Sequence, residues 1–289
     1  SGEFARPEAV GAREFTDEAQ REAYAAYLAG LTMPTEMGTH RILFDCGSGA
    51  AGPTLKAVLA ELNRRGAEID AVIARGAPDP SFPDGVPNPL LPEMRTATMR
   101  AVVEAGADFG VAFDGDFDRC FFFDENGRFI EGYYLVGLLA QVFLDAEPGA
   151  KIVHDPRLTW NTQEIVAAAG GEAVQSMTGH AYMKESLRAG KAVYGGEMSA
   201  HHYFRDFYYS DSGMVPWLLV TALMAATGKR LSQLVDERMQ AFPASGEINR
   251  TIANPAALLA ATRARYESAA LAVENVDGLS MSFDAWRFN

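Results

Sequence analysis

The segment "DGDFDR" at positions 114–119 sets three carboxylates at every second residue, with an arginine directly behind them. Asp114, Asp116 and Asp118 repel one another unless a cation sits among them. Ligands at i, i+2 and i+4 converge when the backbone curls around an ion, and an all-carboxylate set suits a hard cation such as Mg²⁺. The apolar flanks, Phe113 and Cys120 to Phe123, bury the ends of the loop and argue against a merely solvated acidic turn. An EF-hand fits in part, because Glu125 falls at its twelfth position. Arg119, however, stands where the calcium loop needs glycine, and the flanks read as strands, so that reading is rejected.

A second group of polar residues follows. "GEMSAHHYF" (196–204) places Glu197, Ser199, His201 and His202 on one stretch. Glu and Ser together hydrogen-bond vicinal hydroxyls, as a sugar requires. The two adjacent histidines splay apart and make a poor metal pair. "HDPR" (154–157) and "TGHAYMK" (178–184) bring Arg157, His180 and Lys184 to neighbouring strand ends. Cations opposite carboxylates have the polarity that holds a phosphate. Singly, His180 or Lys184 reads equally well as a helix-start or surface residue. "GSGAAG" (47–52) matches a dinucleotide pattern, but a tight, closely packed strand-to-helix turn is the preferred reading.

These residues must be held by elements. Thr16 to Leu31 reads as a capped helix, 41–46 as a buried strand, 53–66 as a helix closed by glycine, and 69–75 as a strand. Segment 78–92 carries six prolines and reads as a loop. A helix over 93–105, strands 108–113 and 120–124, and a hairpin turn at "DENG" follow. A second series then runs through helix 132–145, strand 151–155, helix 161–169, strand 172–177, helix 180–189 and strand 191–196. Helices 213–226 and 231–241 close it. Asp45 and Asp155 both end a first strand, and "GADFGVAFD" parallels "GKAVYGGE" so that Asp114 and Glu197 end corresponding strands. The pattern is two copies of one α/β unit of about 110 residues each, with mostly parallel strands. The tail, 246–289, reads as strand, helix and the beginning of a further sheet.

The 289 residues suffice for about two domains. A formal charge of −13 without a basic stripe argues against a nucleic-acid partner, and no apolar run reaches membrane-spanning length. Two cysteines, Cys46 and Cys120, favour a reducing, cytoplasmic setting. The first four residues lack Met and a secretory pattern and read as a cloning scar leading into a linker.

The stretches "FPDGVPNPLLPE", "DGDFDRCFFFDENGRFIEGYYL", "VHDPRLTWNT", "TGHAYMK" and "GGEMSAHHYF" resemble, in order and spacing, the α-D-phosphohexomutase superfamily, specifically its bacterial phosphomannomutase/phosphoglucomutase branch. The resemblance covers nearly the whole chain from about residue 15. It implies residues 1–14 as scar or linker, 15–128 as a second domain bearing the metal loop, 129–243 as a third domain bearing the sugar loop, and 244–289 as the start of a smaller α+β fourth domain. The first two of these folded units are expected as similar three-layer α/β domains with mostly parallel mixed sheets.

By the same resemblance, Asp114, Asp116 and Asp118 hold Mg²⁺ beside a phosphoserine, and Arg119 contacts the same phosphoryl region. Glu197 and Ser199 grip sugar hydroxyls, and His201 lies near the reacting end. Arg157, His180 and Lys184 contribute anion binding and proton traffic. The expected ligands are hexose phosphates and hexose 1,6-bisphosphate, with interconversion of 1- and 6-phosphates through a phosphoserine enzyme. Methionine in "GEMS" resembles the mannose/glucose branch more than the glucosamine branch. The family's serine loop, of the T-A-S-H-N-P type, and its phosphate loop, of the R-S-S-N-T-E-P type, do not occur. The expectation is therefore a fragment that is inactive by itself. Rival readings are a non-catalytic phosphosugar-binding module and an NAD-dependent oxidoreductase built on "GSGAAG".

Overall fold

The computed structural model describes residues 18–289. The expected scar, the linker and the Thr16 cap lie outside the described residues. The first unit runs α1 (Glu18–Gly30), β1 (Thr39–Asp45), α2 (Ala51–Arg64), β2 (Glu68–Ala74), α3 (Pro92–Ala105), β3 (Phe109–Phe113), β4 (Cys120–Asp124) and β5 (Phe129–Ile130). Its sheet has the order β2-β1-β3-β4-β5. Only β4 runs against the others.

The alternation of β1 explains the three layers. Ile42 and Phe44 point into one core with Leu55, Val58 and Leu62 of α2, which recur at helical spacing. Leu43 points the other way, into a core with Val102 of α3 and with Ala112, Phe121 and Phe123. Strands β3 and β4 are buried along their whole length, so the acidic loop between them hangs from a rigid hairpin. Pro92, the last proline of the expected loop, instead starts α3, where its missing N–H costs nothing.

The second unit runs α4 (Gly132–Ala146), β6 (Lys151–His154), α5 (Trp160–Ala168), β7 (Glu172–Gln175), α6 (His180–Gly190), β8 (Tyr194–Gly196), β9 (His202–Phe204), β10 (Ser210–Asp211), α7 (Met214–Thr227) and α8 (Leu231–Ala241). Its sheet order, β7-β6-β8-β9-β10, repeats that of the first unit strand for strand. Again only the fourth strand in this order is reversed. The sequence parallel between 106–114 and 190–197 is thus a parallel between β3 and β8. Because β5 pairs with β4, the first unit, expected to end at 128, includes Phe129 and Ile130.

One hydrophobic core joins the two copies. Phe44 of β1 packs edge-on against Trp217 of α7 at 4.9 Å between ring centres, and the same cluster takes in Leu135, Val136 and Ile152. The tail forms α9 (Pro255–Tyr266) and a small antiparallel sheet of β11 (Ala272–Glu274), β12 (Ser280–Ser282) and β13 (Arg287–Phe288). The strand expected at its beginning is absent, and residues 246–254 are irregular. Ile248 is 65% exposed there, so the segment has no sheet face to bury its side chain against.

Candidate functional site

The acidic loop turns sharply between β3 and β4, with Phe117 in the left-handed region at φ 54°. That turn brings one oxygen each of Asp114, Asp116 and Asp118 within 4.8 Å of one another. Asp114 is buried and Asp116 is exposed, so the set has an inner and an outer end. Burial pushes the Asp114 carboxyl up to about 6, against the downward pull of Arg119. Asp118 is raised as well, by burial first and then by the nearby Asp116 charge. Such acids gain from a cation, and three carboxylate oxygens fit a hard divalent ion. The site is not an EF-hand, since antiparallel strands flank it.

Arg119 follows closely because it binds the loop itself. Its Nε and Nη2 lie 2.8 and 2.7 Å from Asp114 Oδ2, and its backbone N–H donates to Asp114 Oδ1 at 3.2 Å. The guanidinium therefore offsets the innermost carboxylate and clamps the turn.

"GSGAAG" braces this loop from behind. Ala50 N–H donates to the Gly115 carbonyl at 2.9 Å. A Cβ on Gly49 would lie 2.6 Å from that oxygen, and one on Gly52 would lie 1.9 Å from the Gly76 carbonyl. The glycines thus permit close backbone packing and leave no gap for a pyrophosphate, which removes the structural basis of the oxidoreductase reading.

The second copy presents its polar residues around a cavity of about 340 Å³ lined by Arg157, Gly179, His180, Glu197, Ser199 and His201, among others. Glu197 is buried. Its Oε1 accepts Gly179 N–H at 2.5 Å, and its Oε2 accepts the Tyr203 hydroxyl at 2.8 Å. His201 Nδ1 lies 2.9 Å from Ser199 Oγ and 3.3 Å from Glu197 Oε2. Burial lowers the His201 pKa, opposed by the Glu197 charge. His202 points away into the core, where its Nδ1 meets the Tyr194 hydroxyl at 2.7 Å and burial drives it down to about 3. The adjacent histidines do splay. Asp155 braces the loop beneath, accepting Met198 N–H and Arg157 N–H, each at 2.7 Å.

The two copies meet at this point. Arg119 and His201 form an antiparallel backbone bridge, and Asp118 Oδ2 lies 3.4 Å from His201 Nε2. Lys184, expected among the anion-binding cations, does not line the cavity; its Nζ pairs with Asp211 Oδ1 at 2.8 Å. Arg157 lines it while also approaching Asp277 of the tail at 3.5 Å. Sequence reasoning missed Asp211, Tyr203 and Asp155 as partners in this network.

Gly213, just before α7, sets the seam. Its N–H donates to the Phe117 carbonyl at 3.2 Å, and a Cβ there would lie 2.5 Å from that oxygen and 2.9 Å from the Arg119 carbonyl carbon. Gly213→Ala should therefore push the acidic loop off the second copy, cost about 1–3 kcal/mol by overpacking, and weaken binding of a divalent cation. Denaturant titration together with calorimetric Mg²⁺ titration checks this. A variant indistinguishable from wild type in both would show that the loop yields without consequence.

Comparison with known proteins agrees with this layout. Residues 22–127 match the model described as "Phosphoglucomutase/phosphomannomutase, alpha/beta/alpha domain II", and residues 131–242 match domain III of the same series. A phosphomannomutase of Salmonella typhimurium is 57% identical over 269 residues, which cover 93% of this chain and 59% of that protein. A crystal structure of a phosphoglucomutase/phosphomannomutase family protein from Burkholderia thailandensis superposes with a TM-score of 0.76 at 26% identity. The match covers 91% of this chain and 55% of that one. An Aspergillus fumigatus N-acetylphosphoglucosamine mutase, solved with GlcNAc-6P and magnesium, shares the fold at a TM-score of 0.58 and 16% identity. There the coverage is 85% of this chain and 62% of that one. The chain thus spans only about 59% of the length of the first of these relatives.

Proposed function

The chain belongs to the phosphoglucomutase/phosphomannomutase family, and on that premise we propose that it carries the metal-binding and sugar-binding surfaces of a hexose-phosphate mutase. The observation that carries this reading is the meeting of two unlike loops. A three-carboxylate turn on one copy stands 3.4 Å from a cavity-lining histidine of the Glu–Ser–His loop on the other.

In the proposed reaction, interconverting mannose or glucose 1- and 6-phosphates, Asp114, Asp116 and Asp118 hold Mg²⁺. When bound, the ion offsets charge on the transferring phosphoryl group. Arg119 fixes Asp114 and lies at the same phosphoryl region. Glu197 and Ser199 orient the sugar hydroxyls. His201, held at Nδ1 by Ser199 and Glu197, presents Nε2 for proton transfer at the reacting hydroxyl. His180 and Arg157 at the cavity wall bind the non-reacting phosphate, while Lys184, expected beside them, is paired with Asp211 and stands outside the cavity. The phosphoryl carrier is a phosphoserine. It donates to one position of the sugar and is regenerated from the other, through a hexose 1,6-bisphosphate.

A coupled assay tests this on a polypeptide of the relatives' length, with glucose 1-phosphate or mannose 1-phosphate and a trace of bisphosphate. Mg²⁺-dependent turnover on the order of 1–1000 per second is expected, and it should be abolished by Asp116→Ala. The 289-residue chain alone should be silent. Turnover by that chain would overturn the assignment of the phosphoryl carrier to residues beyond it. Tight phosphosugar binding without transfer in the longer polypeptide would replace the enzyme reading with a binding module.

A further inference from the structure

Next to the oxygen-only carboxylate set lies a second group of donors that includes nitrogen. Asp118, His180, His201 and Asp211 each offer one ligand atom, and the four atoms lie within 4.8 Å of one another. Both imidazoles have a carboxylate behind Nδ1, and His201 Nδ1 also meets Ser199 Oγ at 2.9 Å. His201 Nδ1 is backed by Glu197 Oε2 at 3.3 Å, and His180 Nδ1 is backed by Asp211 Oδ2 at 3.5 Å. Each ring then turns its Nε2 toward the same carboxylate oxygen, Asp118 Oδ2, at 3.4 Å from His201 and 4.0 Å from His180. The two rings stand edge to face with centres 4.6 Å apart.

A carboxylate behind Nδ1 fixes the tautomer that frees Nε2 as a ligand, and it is the usual support of a metal-bound histidine. With bonds of about 2.0–2.2 Å, ligand atoms around a tetrahedral ion are about 3.3–3.6 Å apart. The observed separations reach that with a small movement of His180, whose ring is partly exposed at the start of α6. Lys184 occupies Asp211 Oδ1 and leaves Oδ2 to support His180.

We infer that Asp118 Oδ2, His180 Nε2 and His201 Nε2 form a three-ligand site for a borderline transition ion, Zn²⁺ being the representative, with its fourth position open toward the cavity. Mixed imidazole and carboxylate donors favour such an ion over Mg²⁺, which prefers oxygen. The site shares Asp118 with the carboxylate set, so the two ions compete. A bound Zn²⁺ also ties up both histidines of the cavity and acts as an inhibitor. The inhibition rests on the proposed mutase reading; the binding does not.

Calorimetric titration of the 289-residue chain with ZnCl₂, and with Co²⁺ as a visible-absorption probe of four-coordination, tests the site. Wild type should bind one Zn²⁺, and His180→Gln should weaken it by about tenfold or more, since loss of a mere supporting group already costs about that much. Asp116→Ala should lose Mg²⁺ binding while keeping the Zn²⁺ isotherm, because Asp116 belongs only to the oxygen set. Circular dichroism confirms that each variant is folded. Zn²⁺ binding unchanged in both His180→Gln and His201→Gln would overturn the proposal. So would Zn²⁺ binding lost with Asp116→Ala, which would place the ion among the three carboxylates. A failed mutase assay with these Zn²⁺ results intact would count against the proposed function alone.

Discussion

Replacing Trp217 by alanine should lower the unfolding free energy by about 3–5 kcal/mol, the range for removing a large aromatic from a core. Trp217 is fully buried in α7 and packs edge-on against Phe44, 4.9 Å away on the other copy's first strand. The buried cluster that holds it draws residues from both sheets, so the cavity left behind opens beside Phe44 at the seam between the units. The Nε1–H has no hydrogen-bond partner among the described residues. Trp217→Phe should therefore cost much less, since it loses volume but no polar contact. The same helix follows Gly213, whose N–H holds the Phe117 carbonyl of the acidic loop. Loosening it should weaken Mg²⁺ binding at a distance from the metal ligands. Urea titration of wild type and both variants measures the stability, and calorimetry measures the metal. A loss below about 1 kcal/mol for Trp217→Ala would mean that the two units stand without this shared core.

Much of this arrangement was legible from residue pattern, and the exceptions have physical reasons. Short apolar runs ended by Asp or Glu marked β1, β3 and β8, and the two copies read from them share one sheet order in the structure. Asp114, Asp116 and Asp118 were legible because spacing along one turn is local information. Glu197, Ser199 and His201 were legible for the same reason. Asp211 was not, since it reaches His180 and Lys184 only once β10 has paired with β9. Tyr203 likewise meets Glu197 only through the curl of the loop between β8 and β9. The strand expected at the start of the tail is absent because strand propensity forms a strand only where a neighbouring strand can pair with it. Lys184 shows a further limit. It lies within α6 rather than at a strand end, and a carboxylate 27 residues on, Asp211, pairs with its charge.

Glu197→Ala, made in a polypeptide of the relatives' length, should lower kcat/KM for hexose phosphates by roughly ten- to a thousandfold, the scale of one or two strong hydrogen bonds. Both carboxylate oxygens are already engaged, one by Gly179 N–H at 2.5 Å and the other by the Tyr203 hydroxyl at 2.8 Å. The side chain thus sets the wall of the cavity as well as facing it. An oxygen of a carboxylate offers two lone pairs, so each can accept from the protein and still accept from a sugar hydroxyl. Alanine would remove the sugar contact and also leave the buried Tyr203 O–H unpaired, at about 1–3 kcal/mol, and the partly buried Gly179 N–H without its acceptor. Glu197→Gln separates the two effects. It keeps the volume and a carbonyl that can accept Gly179 N–H, but it loses the charge that supports His201 at 3.3 Å. The glutamine variant should stay near wild type in thermal stability while kcat/KM falls, and the alanine variant should lose both. Measured melting temperatures and steady-state kinetics of the pair decide the matter. Near-normal kinetics in Glu197→Gln, with the stability loss confined to alanine, would make Glu197 a brace for the 178–180 turn and place the sugar elsewhere in the cleft.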